Sequence, residues 1–193
     1  IFDEVMTGFR VDRGGCAARF GVTPDLYCFG KVVGGGFPLA AYGGREEIMR
    51  QVAPDGPVYQ AGTLSGNPVA VAAGIATLEL LDESAYETLE HHGSYLQQGL
   101  EELIDQGGYP AHVRRVGSMF TVFFRDETVH DHADATEADM DRFRTFFGEM
   151  LRRGIYMAPS PYEAGFLSTK HTEEVLDEIL AAADASLEET FNG

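Results

Sequence analysis

Tyr27-Cys28-Phe29-Gly30-Lys31-Val32-Val33-Gly34-Gly35-Gly36 is the stretch on which the fold of this chain turns. The apolar run 26–29, entered through the turn-forming Thr23-Pro24-Asp25, reads as a short buried strand. It ends on a glycine, a lysine, two valines and three more glycines. A strand that delivers a single lysine into apolar, pliable backbone suits the ligand crevice outside the carboxyl ends of strands in an α/β sheet. Apolar surroundings favour the neutral amine over the ammonium, and the neutral amine is the form that attacks an aldehyde. A lysine reaching solvent along its stem is the other reading of the same position. The glycine triplet lacks the spacing of a Walker loop or a dinucleotide fingerprint, so it reads as flexible backbone beside Lys31.

Upstream, residues 1–5 read as the end of another buried strand, with Asp3 at its carboxyl end. That is a poor place for a natural chain to begin, and no initiator Met is present, so a fragment with missing upstream sequence is expected. Downstream, residues 38–44 read as a short buried strand closed by glycine, followed by a helix near 45–52. Asn67 is a good N-cap and Pro68 fits the first turn, which predicts a helix over 67–81. A long amphipathic helix near 85–106 stops at Gly107-Gly108. The pattern then changes to strands near 113–116 and 118–124, a helix near 137–153, a strand at 155–158 and a last helix near 172–190. This α+β pattern differs from the first part and places a domain boundary near Asp82, giving residues 1–82 and 83–193. The spacing of Phe143, Phe146, Phe147 and Met150 marks a core face.

Composition narrows the function. Among 193 residues, 31 are acidic and 14 basic, for a net charge of -17, and the only lysines are Lys31 and Lys170. That charge repels nucleic acid and anionic membranes, and no apolar run approaches the roughly 20 residues of a membrane span. An acidic, lysine-poor surface suits high salt, where screening removes self-repulsion, so a halophilic origin is expected. Cys16 and Cys28 form no CxxC pair, which fits a reduced cytoplasm. His130 and His132, with Asp131 and Asp134 beside them, read as a solvated loop rather than a metal site, so no metal is expected. His91 and His92 read as surface residues of the long helix.

The remaining polar candidates share one chemistry. Pyridoxal phosphate needs an amine to bind its aldehyde, an acid to keep its pyridine nitrogen protonated and donors for its phosphate. Lys31 supplies an amine and Asp3 an acid, although an Asp ending a strand also serves as a turn or cap residue. Gly62-Thr63-Leu64-Ser65-Gly66-Asn67-Pro68 sets hydroxyls and open amides before a helix N-terminus, as a phosphate site or as a capped loop.

These elements occur together and in order. Asp3-Glu4-Val5-Met6-Thr7-Gly8-Phe9-Arg10, Gly30-Lys31-Val32-Val33-Gly34-Gly35-Gly36, Tyr59-Gln60-Ala61-Gly62-Thr63-Leu64-Ser65-Gly66-Asn67-Pro68 and Pro159-Ser160-Pro161-Tyr162-Glu163-Ala164-Gly165-Phe166-Leu167-Ser168 resemble the signatures of the glutamate-1-semialdehyde 2,1-aminomutase family. That family lies within the class III, fold-type-I pyridoxal-phosphate transferases. The resemblance implies the C-terminal part of the α/β large domain, followed by a smaller α+β domain. It also implies Lys31 as the Schiff-base lysine and proton-moving base, Asp3 on the pyridine nitrogen and Val5 packed on the ring. In the family's homodimers, the residues matching Gly62 and Thr63 bind the phosphate of the neighbouring subunit's cofactor. The reaction implied exchanges amines within one molecule through the pyridoxal and pyridoxamine forms, converting glutamate 1-semialdehyde to 5-aminolevulinate for tetrapyrrole synthesis. Glu163 would discriminate among substrates by repelling an α-carboxylate; an exposed loop carboxylate is the other reading.

Departures are small: Phe37 and Leu39 flank Pro38 where other hydrophobics are usual, and Asp12-Arg13 is unusually charged. With the partner half of the site upstream, these 193 residues alone are expected to be inactive. A class III aminotransferase or amino-acid racemase on another substrate is the nearest rival. Met6, where ordinary members tend to carry Gln, and the Glu163-Ala164-Gly165 segment argue against it. A non-catalytic scaffold would have no need of Asp3, Lys31 and Thr63 together.

Overall fold

A computed structural model describes residues 1–193. The chain divides into two compact units, Ile1–Glu87 and Thr88–Gly193. The division falls inside the long helix, five residues beyond the expected boundary at Asp82.

The first unit is built on a three-stranded sheet of order β1-β2-β3, with β1 at Phe2–Glu4, β2 at Leu26–Phe29 and β3 at Ala41–Gly44. β1 and β2 run parallel, with Asp3 opposite Cys28 and Glu4 opposite Phe29. β3 pairs antiparallel with β2, Phe29 facing Ala41. The connection between β1 and β2 carries a short helix α1, Gly15–Phe20, and Lys31–Gly34 forms one 3₁₀ turn directly after β2. Neither was foreseen, because six and four residues are too few for a periodic pattern. β3 was expected to be buried; instead Ala41, Tyr42 and Gly44 are exposed, since β3 is the edge strand of this sheet. The following helix α2 shrinks to Glu46–Met49.

Helix α3, Pro68–Leu80, starts where expected: the Asn67 side chain accepts the amides of Val69 and Ala70, both at 3.1 Å. It packs its small residues on the 3₁₀ turn. A Cβ on Gly74 would lie 2.7 Å from the Val33 carbonyl oxygen and 2.4 Å from Leu39 Cδ2, so glycine permits this approach of two backbones. Helix α3 carries apolar residues on nearly every side, and Val69, Ile75 and Leu80 are exposed.

The second unit holds most of the buried apolar surface. Helix α4, Glu83–Gly107, contributes Leu96, Leu100 and Ile104 at a spacing of four, one face of a helix. The hairpin β4 (His112–Val116) and β5 (Met119–Phe123) adds Val113 and Val122, and its two-residue turn opens with Gly117 at φ 58°. After the short helix α5, His132–Thr136, helix α6 (Met140–Arg152) buries Phe143, Phe146 and Met150, while Phe147 is half-buried. Helix α7, Glu173–Asn192, closes the core with Leu176, Ala183 and Leu187.

Two expectations fail here. Residues 155–158 do not form a strand; β5 instead pairs with Gly165–Phe166, β6, through Met119–Phe166 and Phe120–Gly165. His92 is buried rather than on the surface, and its Nδ1 has no hydrogen-bond partner. His92 lies four residues before Leu96, on the face of α4 that carries Leu96, Leu100 and Ile104 into the core, so helical spacing rather than residue polarity was the signal to follow. No helix is long and apolar enough to cross a membrane.

Candidate active site

Parallel pairing of β1 with β2 sets Asp3 opposite Cys28 and Glu4 opposite Phe29, so Val5, one residue on, comes against Gly30, and Lys31 follows directly. A Cβ on Gly30 would stand 3.2 Å from Val5 Cγ1, so the valine closes directly on the backbone that carries the lysine. Asp3 is exposed, and its Oδ1 accepts the Val5 amide at 3.0 Å, which fixes how the carboxylate leaves the strand. Lys31 is exposed at the end of β2, not enclosed by the apolar residues that follow it. Its backbone stands at φ 49°, in the left-handed region, while Val33, two residues on, is buried. A long side chain held there is uncommon and carries strain of about 1–3 kcal/mol.

Gly62 and Thr63 open an exposed turn ahead of α3. The Ser65 amide donates to the Gly62 carbonyl at 3.0 Å and the Asn67 amide to the Leu64 carbonyl at 3.0 Å. Since Asn67 satisfies the first amides of α3 itself, the capped loop is present, and the hydroxyls of Thr63 and Ser65 lie in the turn before it.

Glu4, between Asp3 and Val5, had drawn no attention in sequence. It is 1% exposed, and its carboxylate accepts the Thr7 hydroxyl, the Cys16 amide at 3.0 Å and the Ala17 amide at 2.9 Å. Desolvation pushes this carboxyl up, and the bonds from Thr7, Cys16 and Ala17 together outweigh it, holding its pKa below the ordinary value. A Glu bracketed by two site candidates and followed by Thr7 and Gly15 is the trace this network leaves in sequence. Nearby, Phe9 also has positive φ, 59°; its ring packs on Phe29 with centroids 5.2 Å apart, and its carbonyl accepts the Tyr86 hydroxyl at 3.0 Å.

Glu163 belongs to the second unit. It is exposed on a turn closed by its own amide donating to the Ser160 carbonyl at 3.1 Å, just before β6. It lines a cavity of about 400 Å³ whose walls are largely apolar, including Phe120, Phe146, Met150 and Leu167, with His171 among them. His171 Nδ1 accepts the Ser168 amide at 2.9 Å. Of the acids near His130 and His132, Asp131 caps α5 by accepting the Asp134 amide at 3.1 Å, and Asp134 accepts the His130 amide at 2.9 Å. These residues hold backbone, and His132 is the first residue of α5 rather than part of a loop.

Chemically, the first unit sets an amine, a carboxylate and an apolar side chain at the carboxyl ends of two adjacent strands, with a turn of hydroxyls and amides before α3. That donor set fits an aldehyde cofactor with a basic ring nitrogen.

Comparison with known proteins agrees with this chemistry. The family model for class-III aminotransferases matches residues 1–179. A glutamate-1-semialdehyde 2,1-aminomutase of Desulfitobacterium hafniense is 55% identical over 184 residues, covering 95% of this chain and 43% of the relative. A protein of the same name from Sorangium cellulosum is 56% identical over 187 residues, covering 97% and 43%. The crystal structure of an omega-transaminase from Sphaerobacter thermophilus superposes with a TM-score of 0.91 at 32% identity, over 98% of this chain and 44% of that one. The chain thus spans less than half the length of the curated relatives it matches.

Proposed function

The chain belongs to the class-III aminotransferase family, and from that premise we propose that the whole protein carrying it is a pyridoxal-phosphate-dependent glutamate-1-semialdehyde 2,1-aminomutase. The observation that carries the reading is the placement of Asp3 and Lys31 at the adjoining ends of paired parallel strands, with Val5 against Gly30. The similarity to aminomutases at 55–56% identity supports the substrate. When bound, the cofactor supplies an electron sink for the carbon that exchanges its amine. Lys31 would hold it covalently and move protons from its Nζ; Asp3 would keep the ring nitrogen protonated; Val5 would pack on the ring. Gly62 and Thr63, on their exposed turn, would bind the phosphate of a second copy's cofactor, which makes the working unit a homodimer with shared sites. Glu163 would disfavour amino acids that carry an α-carboxylate, by charge repulsion. Unpaired Cys16 and Cys28 go with a cytoplasmic setting.

A second reading has its own support: the solved structure with a TM-score of 0.91 is an omega-transaminase, which points to amine transfer between two molecules. One experiment separates them. Purified whole protein, loaded with pyridoxamine phosphate and given glutamate 1-semialdehyde alone, should form 5-aminolevulinate over many turnovers. A single equivalent of the diamine and no 5-aminolevulinate, with further turnover only when an amine donor is added, would favour the transaminase and overturn the aminomutase.

A further inference from the structure

Glu4 is a buried carboxylate at the end of β1, the strand that carries Asp3, and the function proposed above gives it nothing to do. Three donors converge on it: the Thr7 hydroxyl and Cys16 amide on Oε2, the Ala17 amide on Oε1. The two amides belong to the first turn of α1, where a helix leaves its N–H groups without internal partners. A Cβ at Gly15 would lie 2.7 Å from both carboxylate oxygens, so the chain passes the carboxylate with no side chain between them. The loop from β1 to α1 is thereby tied at both ends: the Gly8 amide donates to the Glu4 carbonyl at 2.8 Å, and the Glu4 side chain grips α1. Side chains alternate along a strand, so Glu4 points inward where Asp3 points out, and Asp3 is exposed while Glu4 is buried.

We propose that Glu4 is a positioning residue for the cofactor's ring nitrogen, clamping α1 and Thr7 onto the end of β1 and so fixing the backbone from which Asp3 and Val5 project. The proposal rests on the reading of Asp3 as the partner of that nitrogen. A strand end of three residues has few bonds of its own, and a loop free to shift there would carry the Asp3 carboxylate with it. An amide at Glu4 would set an NH₂ group against a backbone N–H, leaving a buried donor without an acceptor and loosening the clamp.

The test uses the whole protein loaded with pyridoxal phosphate labelled with ¹⁵N in the ring. In Glu4→Gln, borohydride reduction and mass spectrometry should still find the cofactor on Lys31, and circular dichroism should show a folded protein. The ring ¹⁵N signal should nevertheless move toward the unprotonated position, and cofactor affinity should fall at least ~10-fold. Asp3→Asn serves as the reference and should move the signal further. A signal that moves in Asp3→Asn but stays at the wild-type position in folded Glu4→Gln overturns the role of Glu4 alone. A signal that stays put in Asp3→Asn overturns the reading of Asp3 instead. Where Glu4→Gln does not fold, Thr7→Val decides, since it removes one donor and keeps the shape: a partial shift supports the clamp, and an unmoved signal overturns it.

Discussion

At the scale of single residues, backbone and charge carry the argument. Lys31 sits at φ 49°, where a side chain is disfavoured and glycine is not. Glycine normally destabilises relative to alanine, so the order should invert here: Lys31→Gly should be more stable than Lys31→Ala by about 1 kcal/mol in urea unfolding. The usual order, with alanine ahead, would show that the left-handed conformation is not kept in solution. Glu163 stands exposed on its turn before β6. If its charge excludes α-carboxylates, Glu163→Gln should lower aminomutase turnover and raise half-transamination with simple α-amino acids, while the cofactor stays on Lys31. Stopped-flow absorbance reads both, and unchanged turnover with unchanged donor selectivity would leave Glu163 a surface carboxylate.

Single elements are held by contacts that can be tested one at a time. Helix α3 reaches the 3₁₀ turn after β2 because Gly74 has no side chain to hold it off the Val33 carbonyl. Gly74→Val should force the two apart and cost about 1–3 kcal/mol of stability, the range for overpacked sites. It should also weaken cofactor binding, because the displaced turn begins at Lys31. A melting temperature equal to wild type would refute the close approach. At the end of α6, hydrogen bonds from Arg152 and then Arg153 hold the Glu149 carboxyl down at about 2, from an ordinary 4.5. A lowered carboxylate pKa stabilises the fold above the ordinary value, and that contribution is lost as pH falls from 4.5 through about 2. A carbon-detected NMR titration should therefore find Glu149 well below the ordinary 4.5, and the double substitution Arg152→Ala, Arg153→Ala should return it to the ordinary range.

For the molecule as a whole, the two units differ in how they spend their apolar residues. Residues 88–193 gather one continuous core from α4, α6, α7 and the β4–β5 hairpin. In the first unit, Ile1, Phe20, Val58, Tyr59, Val69, Ile75 and Leu80 are more than half exposed or near it, as expected of surface that other protein covers. Under the proposed function, a second copy would be one such cover. The formal net charge of -17 over 193 residues acts on the whole. If it is an adaptation to salt, the melting temperature of the whole protein should rise as potassium chloride is raised, through screening of carboxylate repulsion. A steady fall with added salt would refute the adaptation.

Local signals in the sequence determined much of this protein. The caps and breakers at Asn67, Pro68 and Gly107 placed α3 and α4 within a few residues, and the run Leu26–Phe29 is β2 to the residue, because these depend on neighbours in the chain. Lys31, Asp3 and the turn before α3 could be named as candidates for the same reason: each lies at or beside a strand or helix end. Only the tertiary structure decided the rest. The strand expected at 155–158 lost to Gly165–Phe166 because β5 pairs with whichever backbone the Glu163 turn delivers. His92 went inside, and Lys31 took a left-handed backbone that no propensity foretells. Glu4 was unreadable as a buried clamp, because its donors at Cys16 and Ala17 lie twelve and thirteen residues away and meet it only when α1 folds back onto β1. Spacing along a chain reports the local conformation; which polar groups are taken out of water together is settled by packing between distant segments.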